Sequence, residues 1–274
     1  MLIMENNVMK KYISLLYISL YSSILLISGC DDKKTTNAGS TQISVINSYL
    51  FHTEPELLPN NKLFKQQKIE SSSNKLINYD NLGYVANYNL EGLYGEINYD
   101  NAKYIYGMKE TRNEYGITFD NARNILGMKN SNGDIVAISE FDEQGHLVET
   151  TLSHFAENNI IFNSKIIYEQ DRVEMVLYNA YIPVDEKTKF PVLVQEKDII
   201  YNDNYQLEKT ITKSFKLSSN GDIIINNKNE QEVEITETCT YSDYNENRDW
   251  TKAICITTGD ESKTVNLIRT IEYQ

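Results

Sequence analysis

A short motif that returns about every twenty residues constrains this 274-residue chain more than any other feature. Tyr79-Asp80-Asn81 recurs as Tyr99-Asp100-Asn101 and as Phe119-Asp120-Asn121, each 20 residues on, and Phe141-Asp142-Glu143-Gln144-Gly145 follows after 22. Weaker copies begin at Tyr168, Tyr201 and Tyr244. Six residues after the opening aromatic most copies carry an apolar residue: Val85, Ile105, Ile125, Leu147, Leu207 and Trp250. The copy at Tyr168 departs, with Val173 one position early. A fixed period of this kind means one supersecondary unit used repeatedly.

Elementary chemistry identifies the unit as a β-hairpin turn. The aromatic ends one strand, and Asp or Asn hydrogen-bonds the turn backbone. Gly83 and Gly145 mark a position that tolerates positive φ, and the apolar residue opens the return strand. Two further turns, 131–135 and 219–223, each contain an Asn-Gly pair, the strongest short hairpin signal. Between turns, segments 135–141, 147–155, 160–168, 173–182, 192–201, 207–217, 231–241, 250–257 and 264–273 read as strands. Their one-sided alternation, as in Leu207, Ile211 and Phe215 against Glu208, Thr210, Thr212 and Ser214, predicts antiparallel strands with one wet face. Segment 43–52 reads equally as a helix or a first strand, and 54–61 is a loop by its two prolines.

Phe141-Asp142-Glu143-Gln144-Gly145-His146-Leu147 and Tyr79-Asp80-Asn81-Leu82-Gly83-Tyr84-Val85 resemble the unit of the YD-repeat (Rhs-type) family. The Tyr244–Lys252 stretch looks like a variant of it found in small bacterial envelope proteins, without its Gly. The resemblance spans roughly residues 75–257. It implies an all-β body of antiparallel hairpin repeats in an extended, curved, meander-like sheet. In large members of that family such a sheet becomes a shell around a cargo. With seven units the present chain is expected to stay open. The motif residues Tyr79, Asp80, Gly83, Tyr99, Asp100, Phe119, Asp120, Phe141, Asp142, Gly145, Tyr244 and Trp250 are structural in that family, so the resemblance implies no catalytic residue.

The N-terminus has its own logic. Lys10 and Lys11 precede an uncharged run from Tyr12 to Ile27. That is short for a membrane-spanning helix, which takes about 20 apolar residues, and suits a signal peptide with an N-terminal signal helix. The run ends in Ile27-Ser28-Gly29-Cys30, which resembles a bacterial lipobox and implies diacylglyceryl transfer to Cys30, with palmitate-type acylation of the new N-terminus. The alternative is an ordinary cleavage site with an incidental cysteine. This gives a signal peptide at 1–29, an acylated Cys and tether at 30–42, a connecting segment at 43–74 and a β-repeat domain at 75–274. Asp31 and Asp32 have three readings: an inner-membrane retention signal in enteric-type Gram-negative bacteria, a surface-export signal elsewhere, or a plain solvated tether.

In an oxidising envelope Cys239 and Cys255 become disulfide candidates. If the hairpin between them centres on Asn247 they stand opposite each other. A one-residue slip would point them to opposite faces; the alternative to pairing is two buried free Cys acting as small hydrophobes. The net charge is −13; removing residues 1–29, which hold Lys10, Lys11 and Glu5, makes it −14. That excludes a nucleic-acid partner, which needs clustered Lys and Arg. His52, His146 and His154 are the only histidines, and their spacing specifies no metal site. No nucleophile elbow, phosphate loop or zinc-protease motif occurs, so no enzyme activity and no cofactor are expected. The 20 tyrosines, dense from Tyr79 to Tyr115, supply either a binding face or cross-strand aromatic pairs. The expectation is therefore a lipoprotein of the cell envelope, membrane-anchored through Cys30, acting as a non-catalytic binding or scaffold module for a protein or glycan. An immunity-type lipoprotein that neutralises a toxin is the alternative, and a motif-less hydrolase the third.

Overall fold

The computed structural model describes residues 47–72, 74–108, 111–153, 161–183, 189–218, 223–259 and 262–274. Cys30, the signal segment, His154 and the 219–222 turn lie outside the described residues. The described chain is all-β apart from one 3-10 turn at Pro55–Leu57. Its strands are β1 (Phe64–Glu70), β2 (Lys75–Tyr79), β3 (Val85–Leu90), β4 (Leu93–Asn98), β5 (Lys103–Met108), β6 (Thr111–Phe119), β7 (Ile125–Lys129) and β8 (Ile135–Phe141). They continue as β9 (Leu147–Leu152), β10 (Ile161–Glu169), β11 (Arg172–Pro183), β12 (Lys189–Tyr201), β13 (Leu207–Phe215), β14 (Val233–Tyr244), β15 (Trp250–Thr258) and β16 (Lys263–Tyr273).

The sixteen strands pair in chain order and the last returns to the first. The expectation of an open, curved meander is therefore corrected: the sheet is a closed antiparallel barrel. Strand β1 lies between β2 and β16, with Gln67 opposite Ile271 and Ile69 opposite Arg269 across the seam. Closure removes both exposed edges, whose unpaired backbone groups would otherwise template aggregation.

The repeat itself supplies the curvature. In five hairpins the register shifts by one residue just before the aromatic, so that Tyr79 faces Val85, Phe119 faces Ile125, Phe141 faces Leu147, Tyr168 faces Val173 and Tyr201 faces Leu207. A bulge bends its strand and raises the local twist, and bulges repeated at one end of successive hairpins curl a sheet toward closure. The one-off spacing at Val173 is absorbed by a shorter turn, with Gln170 and Asp171 both at positive φ.

The turn chemistry is uniform. Asp80 Oδ1 accepts the backbone N–H groups of Leu82 (2.9 Å) and Tyr84 (3.0 Å), and the same two-and-four-residue pattern occurs at Asp120, Asn130, Asp142, Asn202, Asn226 and Asn245. Residue four of each turn is left-handed: Gly83, Gly133 and Gly145, but also Arg123, Tyr205, Asn229 and Arg248. The 99–102 turn is the exception. There Asn98, not Asp100, caps the N–H of Asn101 at 2.9 Å, and Asn98 pairs directly with Lys103. Ile105 consequently lies on the outer wall rather than opposite Tyr99.

Residues 47–58 lie inside the barrel and join a core built mostly of wall side chains. Asn47, Tyr49, Phe51 and Leu57 are buried with the inward residues of the wall. Segment 43–52 is thus neither helix nor strand over its described part, which turns at 47–50. Asn47 joins the wall like a missing strand residue, donating from Nδ2 to Gly83 O and accepting the N–H of Val85, both at 2.8 Å. The Trp250 indole donates to Glu56 O at 2.9 Å. Gln67 and Arg269 both donate to Leu57 O. Two ion pairs hold the segment from different walls: Lys75 with Glu54 at 3.1 Å, and Lys197 with Glu56 at 2.6 Å. Burying charge is costly, so each is paired and further bonded; Lys197 Nζ also donates to Thr53 O at 2.9 Å.

Candidate functional site

The outer wall carries charge from strand to strand: Lys68, Glu96, Lys103, Glu114, Glu149, Lys165, Glu196, Lys213 and Glu272 all stand on it. Several pair across strands, among them Lys103 with Glu114 (2.6 Å) and Lys165 with Glu149 (3.6 Å). A lipid-facing barrel needs an outward apolar band about 25 Å tall; on this wall exposed Ile254, Ile256 and Ile268 stand among those charges. Among the described residues, shallow concave surface is found on the outer wall over β2–β6.

Two adjoining depressions lie there. One, of about 330 Å³, is lined by Leu76, Asn78, Asn87, Asn89, Tyr94, Glu96, Ile105 and Arg112, with Tyr88 and Gly95 at its floor. The other, of about 420 Å³, shares Asn87 and Glu96 and adds Asp80, Asn98, Asp100 and Arg123. Strand register explains the lining. Gln66, Asn78, Asn87, Glu96, Ile105 and Glu114 form one continuous row across six strands. Lys68, Leu76, Asn89, Tyr94, Gly107 and Arg112 form the next.

The first row is an amide ladder: Gln66 Nε2 donates to Asn78 Oδ1 at 2.7 Å, and Asn78 Nδ2 to Asn87 Oδ1 at 2.8 Å. Asn89 Oδ1 accepts the Gly92 N–H at 2.9 Å. Among the described residues Asn87 Nδ2 has no partner and Glu96 no ion pair. In the second row the Arg112 guanidinium lies over the Tyr94 ring, 4.5 Å from its centroid, reaching it across the side-chain-free Gly107. Beneath, Tyr88 packs where a Cβ of residue 95 would be, 2.2 Å from its Cζ, so only Gly fits at 95. In the second depression Arg123 pairs with Asp80 Oδ2 at 3.1 Å and lies 5.4 and 5.3 Å from the Tyr84 and Tyr99 rings.

The residues singled out in the sequence are mostly structural. Cys239 and Cys255 face each other on β14 and β15 and are joined as a disulfide. Tyr79, Phe119, Phe141, Tyr244 and Trp250 pack at the turn end of the core. The tyrosines do not form one face. Tyr88 and Tyr104 are buried, hydroxyl to hydroxyl, and burial pushes both phenols upward, while Tyr94 points outward. His52 is half-buried, and desolvation of its ring holds the imidazole down at about 4. His146 Nδ1–H donates to Asp142 Oδ2 (2.9 Å), and the ring stacks on Tyr168, 4.7 Å between centroids. Burial would raise the Asp142 carboxyl, but the hydrogen bonds from His146 and Gln144 bring it below its ordinary value. Among the described residues no group of three His, Cys, Asp or Glu could hold a metal ion. Sequence reasoning missed Asn78, Asn87, Asn89, Glu96 and Arg112. The polar alternation at 87, 89, 96 and 98 was visible, but not the register that aligns those positions.

No protein-family model and no curated protein matches the sequence. Among solved structures the chain is similar to TcdB2–TccC3, at 15% identity and a TM-score of 0.36 over 70% of this chain and 10% of that one. It is also similar to a porin-like protein from Bacteroides uniformis, at 10% identity and a TM-score of 0.35 over 76% of this chain and 98% of that one. A porin-like protein from Bacteroides vulgatus follows, at 8% identity and 0.27, over 77% and 99%. Likenesses of this size carry no argument about function, and the site is read from its own residues.

Proposed function

We propose that the chain is a lipid-anchored, non-catalytic binding module of the bacterial envelope, whose YD-type hairpins build a barrel that displays the groove over β2–β6. The observation that carries this reading is the elongated outer depression whose side chains are ordered by their neighbours. A rigid wall that pre-orients amides lowers the entropic cost of binding. The anchor rests on Ile27-Ser28-Gly29-Cys30, and the polar tether 31–42 would hold the barrel off the bilayer. The net charge of −14 after cleavage favours standing clear of anionic headgroups. Toxin neutralisation would draw on an acidic face; here Arg112 and Arg123 share the groove with Glu96 and Asp80, which favours a ligand without strong charge.

A photo-crosslinking side chain at position 105, inside the groove, tests the reading against the same probe at Thr240 on the opposite wall. Envelope material captured at 105 and not at 240 supports it. Equal capture at both positions, or none at 105, refutes it.

A further inference from the structure

We infer that the groove's ligand is a neutral oligosaccharide, bound through its hydroxyl pairs along the amide row; this rests on the binding-module reading above. The ladder is polarised. Each amide is fixed by the one before it, from Gln66 through Asn78 to Asn87, so the Nδ2 donors of Asn87 are left at the end of the row. Directly opposite Asn87 in register stands the Glu96 carboxylate, which only accepts. A fixed donor beside a fixed acceptor is complementary to neighbouring hydroxyls, each of which both donates and accepts. Asn89 repeats the donor one row on, its Oδ1 being engaged by Gly92.

The apolar parts fit the same ligand. Leu76, Ile105 and the Tyr94 ring flank the polar row, giving surfaces for the C–H faces of a sugar ring, and Arg112 holds the Tyr94 ring in place. The groove crosses five strands, β2–β6, about 19 Å at the usual strand spacing, which suits a chain of sugars better than one. Other ligand classes fit less well. A polyanion meets a chain of net charge −13, and a polycation meets Arg112 and Arg123. An extended peptide adds to a sheet through a free edge, and pairing of β1 with β16 leaves none.

The test reads the side-chain amide ¹⁵N–¹H signals of Asn78, Asn87 and Asn89 in the full chain carrying Cys30→Ser. The probes are linear hexasaccharides of glucose, mannose, xylose and N-acetylglucosamine, then an envelope extract before and after periodate, which cleaves vicinal diols. The expected result is saturable shifts of Asn87 and Asn89 with at least one hexasaccharide, or with untreated extract only. Asn87→Ala or Glu96→Gln should weaken that binding about tenfold, and Thr240→Ala should leave it unchanged. Shifts caused by extract and unaffected by periodate, with no shift from any hexasaccharide including the periodate-resistant N-acetylglucosamine one, overturn the sugar assignment and leave the binding reading standing. No shift with any probe overturns both.

Discussion

Replacing Lys197 by Met should destabilise the protein by about 3–5 kcal/mol, the cost of leaving a buried charge unpaired. The ammonium lies 2.6 Å from Glu56 Oε1, and the two side chains are only 13% and 14% exposed. Met keeps the length of the stem, so packing is little changed. The loss is the ion pair, plus the bond to Thr53 O, while the other oxygen of Glu56, already buried without a partner, stays where it is. Adding Glu56→Gln to Lys197→Met should recover about half or more of the loss, because no unpaired buried charge then remains at that site. Urea unfolding followed by Trp250 emission is the natural assay: it is the only tryptophan, it is buried, and its indole is bonded to Glu56 O. A loss under about 1 kcal/mol for the single variant, the value of an exposed pair, with no recovery in the double, would refute the seating of residues 47–58 inside the barrel.

Three further outcomes follow from the same physics. His52 is neutral in the folded state down to about pH 4, whereas an unfolded histidine takes a proton below about 6.5. Its contribution is therefore complete above pH 6.5 and is lost as pH falls toward 4, by about 3 kcal/mol; His52→Gln should flatten the stability–pH curve over that window, and identical curves would count against burial. Asp142→Ala removes the acceptor for two backbone N–H groups and the bond to His146, and should cost about 2 kcal/mol in thermal or urea unfolding. Asp142→Asn, the residue that caps the turns at 130, 202 and 245, should cost much less. Labelled palmitate should enter the wild type and not Cys30→Ser; equal incorporation would remove the lipid anchor from the account.

Much of the strand pattern was legible because each strand carries its own alternation and each turn its own cap. Segments such as 135–141 and 264–273 fall on β8 and β16 almost residue for residue. The centring on Asn247 that would bring Cys239 opposite Cys255 is also the register of β14 and β15. Closure was not legible. It depends on bulges at the aromatic positions, which are properties of pairing rather than of composition, and on Asn47 and its neighbours lying in the interior, which no local pattern announces. The β1 strand was hidden as well: Phe64–Glu70 carries Lys65, Gln66, Gln67 and Lys68 in sequence, and Gln67 is inward only because Leu57 O, Tyr79 and Arg269 satisfy its amide. The candidate groove was illegible for a related reason. Asn78, Asn87 and Glu96 are ordinary outward residues of three different strands until register sets them in a row.

The seam between the first and last strands tests the closed barrel most directly. Lys68 on β1 and Thr270 on β16 are register partners more than 200 residues apart in the chain. In the variant Lys68→Cys with Thr270→Cys, a short bifunctional maleimide should link the two thiols nearly quantitatively within one chain, shifting its gel mobility and yielding the 68–270 cross-linked peptide. Two freely reacting thiols with no such peptide, in a folded protein, would show an open sheet and contradict the account.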